Sequence, residues 1–190
     1  MKTIAWDVDD VLNDLTRQWL DGAWRPSHPG CEIRYEELVE NPPCRILGCT
    51  KTEYLASLDE FRQSALAREM KPAAQVLEWF LERGPDARHV AISAVPLSAA
   101  HESAVWVLRH FGRWIRTFHV IPSYREGESL PAYDRSKGEA LQQWKTIDAF
   151  VDDDPGNLSS AERLGIRTFC VPRPWNQGIR NLSEMLDGLL

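Results

Sequence analysis

The sequence predicts an α/β protein, a parallel sheet with helices on both faces and a small helical cap inserted after strand 1. Three observations lead there. Short β-rich runs alternate with helical patterns along the chain, as in successive βαβ units. The runs are six or seven residues long, too short for free-standing helices. One interval, after the first run, spans about sixty residues where a βα connection normally takes two to six.

The elements follow in order. Strands are expected at KTIAWDV (2–8), RHVAIS (88–93), RTFHVI (116–121), IDAFVD (147–152) and RTFCVP (167–172). Between them, AAQVLEWFLERG opens after Pro72, stops at Gly84 and places Val76, Leu77, Phe80 and Leu81 on one stripe. LSAAHESAVWVLRHFG sets Leu97, Ala104, Val105 and Leu108 at similar spacing. SKGEALQQW starts behind Ser136, NLSSAERLG ends at Gly165, and an amphipathic stretch from Asn176 to Leu190 closes the chain. The long interval contains helical patterns of its own, LTRQWLDGAW, YEELVE and TEYLASLDEFRQSALAREM. The expected division is therefore a core of 1–14 and 70–190 with an inserted cap of 15–69. In a parallel sheet, ligands sit outside the carboxyl ends of the strands, so an insertion after strand 1 hangs over that site as a lid.

Composition narrows the function classes. The chain has 190 residues, 43% of them apolar, and a formal net charge of −6 with no block of lysines and arginines. A nucleic-acid polymer or an anionic membrane surface is thus an unfavourable general partner, while a small anionic ligand is compatible with local charge. The first apolar run is broken by Asp7 too early for a signal peptide, and no stretch approaches 18 apolar residues, so the expected location is cytoplasmic. Four cysteines are too few for a disulfide scaffold. Reduced thiols are the simpler reading; the sharper one is a zinc site from His28, Cys31, Cys44 and Cys49. Oligomeric state is not legible.

Chemistry concentrates at the strand ends. Strand 1 runs into Asp7-Val8-Asp9, strand 2 into Ser93, and strand 4 into Asp152-Asp153-Asp154 with Asn157 beyond, while Lys137 begins the helix before strand 4. Singly, each has an ordinary explanation: a solvated loop, a helix cap, a surface charge, a turn before Pro155-Gly156. Together they supply the parts of phosphoryl transfer. A carboxylate, Asp7, can attack phosphorus to form an aspartyl-phosphate. A hard divalent cation, Mg²⁺, can neutralise the approaching anions, held by Asp7, Asp153 and the backbone carbonyl of Asp9. Asp152 and Asp154 are alternatives for the strand-4 ligand. Asp9 can protonate the leaving group and later activate water, given crowded surroundings that help it keep a proton. Ser93 and Lys137 can bind the phosphate oxygens. Asp10 and Asp14 are expected to face solvent or shape the turn toward the cap.

WDVDDVLND, VAISA, SKGEAL and FVDDDPGN together resemble motifs one to four of the haloacid dehalogenase-like superfamily, in order and across nearly the whole chain. The resemblance implies a Rossmann-like sheet with a C1-type cap, Asp7 as nucleophile and Mg²⁺ ligand, Asp9 as acid/base, Ser93 and Lys137 as phosphate binders, and Asp153 with Asp152 beside it as metal ligands. Asn157 matches the position closing motif four, and in motif one Val11 stands after the Asp pairs where the family often has threonine. Dehalogenases and phosphonoacetaldehyde hydrolases of the superfamily generally lack the second Asp, so Asp9 favours hydrolysis of a small phosphorylated metabolite, a nucleotide or sugar phosphate. The contrasting expectation is a scaffold of this kind with a binding role and little turnover. In the cap, Arg17, Trp19, Trp24, Arg25 and Tyr35 can contact substrate, although Trp19 and Trp24 fit a cap core better. Trp175 and Asn176 are candidates for the rim of the site, and the polar loop 124–136 leads to Lys137.

Overall fold

The computed structural model describes residues 1–131, 133–144, 146–176 and 181–190. Five parallel strands form one sheet in the order β3-β2-β1-β4-β5: β1 (Thr3–Trp6), β2 (Arg88–Val95), β3 (Ile115–Pro122), β4 (Ala149–Asp152) and β5 (Arg167–Cys170). Alternation along the strands sorts the core into two layers. Ile4, Trp6, Ala91 and Val151 face one way, against α6 (Ala74–Arg83), α7 (Leu97–Phe111) and α10 (Leu182–Asp187). Ala5, Val90, Ile92 and Phe150 face the other, against α8 (Lys137–Gln143) and α9 (Pro155–Glu162). The chain moves outward from β1 to β3 and then returns to β4 on the other side of β1. The crevice between β1 and β4 is thus the switch point of the sheet, where ligands bind in such folds.

The interval after β1 holds short helices: α1 (Leu15–Trp19), a π-helical turn at Leu20–Trp24, α2 (Arg25–Ser27), a 3₁₀ turn at Tyr35–Glu37, α3 (Cys44–Leu47), α4 (Lys51–Gln63) and α5 (Ala65–Arg68). They bury a separate cluster that includes Trp19, Leu20, Trp24, Tyr54, Leu58 and Phe61. Trp19 and Trp24 are indeed part of this core. Where the chain leaves and re-enters the sheet domain, Asn13 pairs with Pro72 in an antiparallel bridge, and Ala73 N–H donates to the Leu12 carbonyl. Among the described residues no helix is long and apolar enough to cross a membrane.

Two helices turn differently from the expected stripes. On α6 the buried residues are Val76, Trp79 and Phe80, whereas Leu81 is exposed. On α7 they are Ala99, Trp106, Val107 and Phe111, whereas Leu97, Val105 and Leu108 are exposed. Aromatic volume decides the rotation, because a large ring removes more apolar area from water than a leucine does. Trp79 packs on Trp6 at 5.4 Å, and Trp106 donates its indole N–H to the Met70 carbonyl at 2.7 Å. β2 also runs to Val95, so Ser93 lies within the strand and not after it. The closing helix starts at Leu182, and positions 177–180 of the expected terminal stretch lie outside the described residues.

Candidate active site

Asp7 is the first residue beyond β1, and its N–H still donates to the Val151 carbonyl of β4 at 2.9 Å. That bond fixes the carboxylate over the β1/β4 crevice. Opposite it, Lys137 opens α8, which Ser136 caps by accepting from the Glu139 N–H. The Lys137 side chain is 4% exposed and reaches Asp7 Oδ1 at 2.7 Å and Asp152 Oδ2 at 2.8 Å. Burial alone would lower the pKa of this ammonium, but Asp152 and Asp7 outweigh burial and hold it above the ordinary lysine value.

Three buried carboxylates, Asp7, Asp152 and Asp153, bring oxygens within 4.8 Å of one another. Burial raises the Asp7 pKa well above the usual carboxylate range; Lys137 opposes that rise and Asp152 and Asp153 add to it. Asp153 is pushed up to about 8, by burial first and then by Asp152 and Asp10. One ammonium therefore pairs with two of the three carboxylates, and the excess negative charge and all-oxygen donor set fit a hard divalent cation.

The three strand-4 aspartates differ in occupancy. Asp152 accepts from Lys137, from the Asp154 N–H at 2.8 Å and from the Asn157 side-chain amide at 3.2 Å. Asp154 is the N-cap of α9, accepting from the Gly156 and Asn157 N–H groups. Asp153 accepts from the Trp175 indole N–H on Oδ2 at 2.8 Å, while Asn176 donates to the Asp153 carbonyl at 2.7 Å. Trp175 also packs against the cap cluster and meets the Tyr35 ring edge-on at 6.0 Å, so it joins Asp153 to the cap.

Asp9 stands apart from the carboxylate cluster. Its Oδ2 accepts from Arg62 Nη2 of α4 at 2.9 Å, so its ion-pair partner is a cap cation and not the crowd of acids expected from the sequence. Ser93 Oγ is fully buried with no hydrogen-bond partner among the described residues, and Ser93 lines the same cavity as Asp7, Asp9, Lys137 and Asp153. That cavity holds about 330 Å³. An orphaned buried hydroxyl costs about 1–3 kcal/mol, which a ligand oxygen would recover.

Asp10 does not face solvent. It is buried in a left-handed conformation with φ of 60°, accepts from both the N–H and the hydroxyl of Thr16, and has its pKa raised to about 6 by burial. Arg173 donates to the Asp10 and Asn13 carbonyls and pairs with Asp14 at 2.7 Å. Both acids shape the turn into the cap. Arg17 stacks over Tyr35 at 4.0 Å and pairs with Glu36, and Arg25 donates to the Ile33 carbonyl, so both serve the cap itself. His28 stacks on Trp24 at 3.9 Å, and Cys31, Cys44 and Cys49 pack against the cap cluster. Among the described residues these four do not converge as ligands; the acidic triad alone does.

The residues missed from sequence are Arg62, Asp59 and Arg125. Asp59 pairs with Arg62 Nη1 at 3.0 Å and is gripped by Arg125, from the segment after β3, through Nε and through Nη2 at 2.9 Å. The Asp59/Arg62 spacing on one helix was a local signal; Arg125 offered none.

No protein-family model and no curated protein sequence matches the chain. Solved structures do match in fold. A protein described as a beta-phosphoglucomutase from Thermotoga maritima superposes with a TM-score of 0.60 at 18% identity, covering 100% of this chain and 98% of that one. A haloacid dehalogenase-like family hydrolase from Streptococcus pneumoniae gives 0.62 at 9% identity, covering 98% and 90%. Protein tyrosine kinase A of Mycobacterium tuberculosis gives 0.62 at 17%, covering 93% and 85%. The chain has the fold of the haloacid dehalogenase-like hydrolases, a Rossmann-like parallel α/β sheet. At these identities the likeness concerns fold, and one fold carries several activities.

Proposed function

We propose that the protein is a Mg²⁺-dependent phosphomonoester hydrolase of the haloacid dehalogenase-like kind, acting through an aspartyl-phosphate on a small phosphorylated metabolite. The observation that carries this reading is the buried triad Asp7, Asp152 and Asp153 with Lys137 as its ammonium, at the switch point of the sheet. Asp7 and Asp153 would hold the metal, with the Asp9 carbonyl as third ligand, because both Asp152 oxygens already serve Lys137, Asp154 and Asn157. When bound, the cation would neutralise phosphate charge and polarise the transferring group.

The chain's own groups supply the rest. An Asp7 oxygen attacks phosphorus while the bond to the leaving oxygen breaks, and Asp9 delivers a proton to that oxygen. Asp9 then takes a proton from water, whose oxygen attacks phosphorus and expels the Asp7 carboxylate, leaving free phosphate. Lys137 and the orphaned Ser93 hydroxyl donate to the phosphoryl oxygens. The division into core 1–14 and 70–190 and cap 15–69 belongs to the same reading. The cap's separate cluster and the Asn13–Pro72 bridge support a lid that moves about its two connections.

The test is phosphate release from a panel of phosphomonoesters with and without Mg²⁺. The expected result is Mg²⁺-dependent release that drops at least about 10³-fold in Asp7→Asn. Release unaffected by that substitution would reject the nucleophile, and no release from any compound would favour a binding scaffold.

A further inference from the structure

The cavity is lined by groups of both charges. Its floor gathers Asp7 and Asp153 beside Lys137, and Lys51 and Arg62 of α4 and Arg125 also line it. Asp59, the carboxylate shared by the two arginines, does not line the cavity but stands behind them. The Arg125 fork is closed on Asp59 through Nε and Nη2, and its Nη1 donates to the Ser123 carbonyl and hydroxyl, so an incoming anion must take the place of Asp59. Arg62 is divided between Asp59 and Asp9, and its Nε is buried with no hydrogen-bond partner among the described residues. Lys51 has no acidic partner within ion-pair distance among the described residues. Two arginines thus share two carboxylates while Lys51 has none, and one of those carboxylates, Asp9, is needed elsewhere if it is to meet a leaving group.

We infer that the substrate carries, besides the transferred phosphate, a second anionic group, a carboxylate or another phosphoryl group, held by Arg125 and Arg62 with Lys51 at the rim. This rests on the hydrolase reading. Seating that anion exchanges Asp59 for the ligand on the guanidinium groups, which bind such anions with parallel hydrogen bonds, each stronger in a partly buried site than in water. The incoming anion gives Arg62 a partner other than Asp9, so Asp9 Oδ2 is opened to the leaving oxygen when the second anion is seated. A substrate with a neutral group there leaves Arg62 on Asp9 and gains nothing from the fork. Recognition of the remote group and exposure of the acid/base are one event.

Matched pairs test this: 3-phosphoglycerate against glycerol 3-phosphate for a carboxylate, and fructose 1,6-bisphosphate against fructose 1-phosphate for a phosphoryl group. Wild-type protein should favour the anion-bearing member of at least one pair by about tenfold or more in kcat/KM. That ratio should collapse toward one in Arg125→Gln and partly return in Arg125→Lys. A ratio at or below one for both pairs, or an Arg125→Gln protein that slows both members of a pair equally, would overturn it; the latter is what a purely structural clasp would give. If no compound releases phosphate, the hydrolase reading has failed, and calorimetric binding of the same pairs decides instead. Tighter binding of the anion-bearing members, lost in Arg125→Gln, supports the second-anion site; equal binding rejects it.

Discussion

Asp7 and Asp9 lie two residues apart on one turn, yet they pair with cations from different parts of the molecule, Lys137 at the sheet and Arg62 in the cap. Asp7 belongs to a floor built by the sheet, where three buried carboxylates gather around one lysine that pairs with two of them. Asp9 faces a wall contributed by the cap, where Arg62 pairs with it at 2.9 Å. The side chains of Asp7, Lys137 and Asp152 are 8% exposed or less, whereas Arg62, Asp59 and Arg125 retain 14 to 20% of their side-chain surface. Buried charges in fixed geometry suit a task that does not change, such as holding a cation and a phosphate. Partly hydrated arginine pairs exchange partners at low cost, which suits a surface that must open and close.

The sharpest way to break this contrast is to remove the lysine from the floor. Lys137→Met strands two buried carboxylates, and a loss of about 3–5 kcal/mol in unfolding free energy is expected in metal-free protein. Urea denaturation measures it, and Mg²⁺ should return part of the loss. A smaller effect comes from the link between the floor and the cap. Trp175→Phe keeps the ring against Tyr35 but removes the N–H donated to Asp153, so Mg²⁺ affinity should fall about tenfold with little change in folding, as calorimetry would reveal. The smallest effect lies far from both: Leu108→Ser on the outer face of α7 should shift stability by less than about 0.5 kcal/mol in a thermal melt. A large loss there would mean that this face is covered.

The same contrast explains what was legible in the sequence. The sheet and its floor were, because strand periodicity is local and each motif is a contiguous run, at a strand end or, for Lys137, at a helix start: Asp7, Ser93, Lys137 and Asp153 all line one cavity. The cap wall was not. Arg62 meets Asp9 across 53 positions and Arg125 meets Asp59 across 66, and neither pair leaves a periodic trace. The faces of α6 and α7 were misread where leucines and tryptophans competed for the same stripe, and ring size won. For Asp10 the run WDVDD left solvent and the turn into the cap as alternatives, because nothing in it signals the left-handed conformation that carries the residue inward.

The central claim is that the floor's carboxylates are gathered for a divalent cation, and the unfolding midpoint across pH reports on it directly. Asp153 has its pKa raised from its ordinary value to about 8, and Asp7 shifts in the same direction. Between about pH 4 and pH 8 the folded metal-free protein therefore binds more protons than the unfolded chain, so its stability falls as pH rises through that window. Bound Mg²⁺ would replace those protons, and its stabilisation should grow with pH. The account predicts a midpoint that declines toward pH 8 in EDTA, stays level in Mg²⁺, and no longer responds to Mg²⁺ in Asp153→Asn. A wild-type midpoint at pH 8 that is the same in EDTA and Mg²⁺ would contradict it.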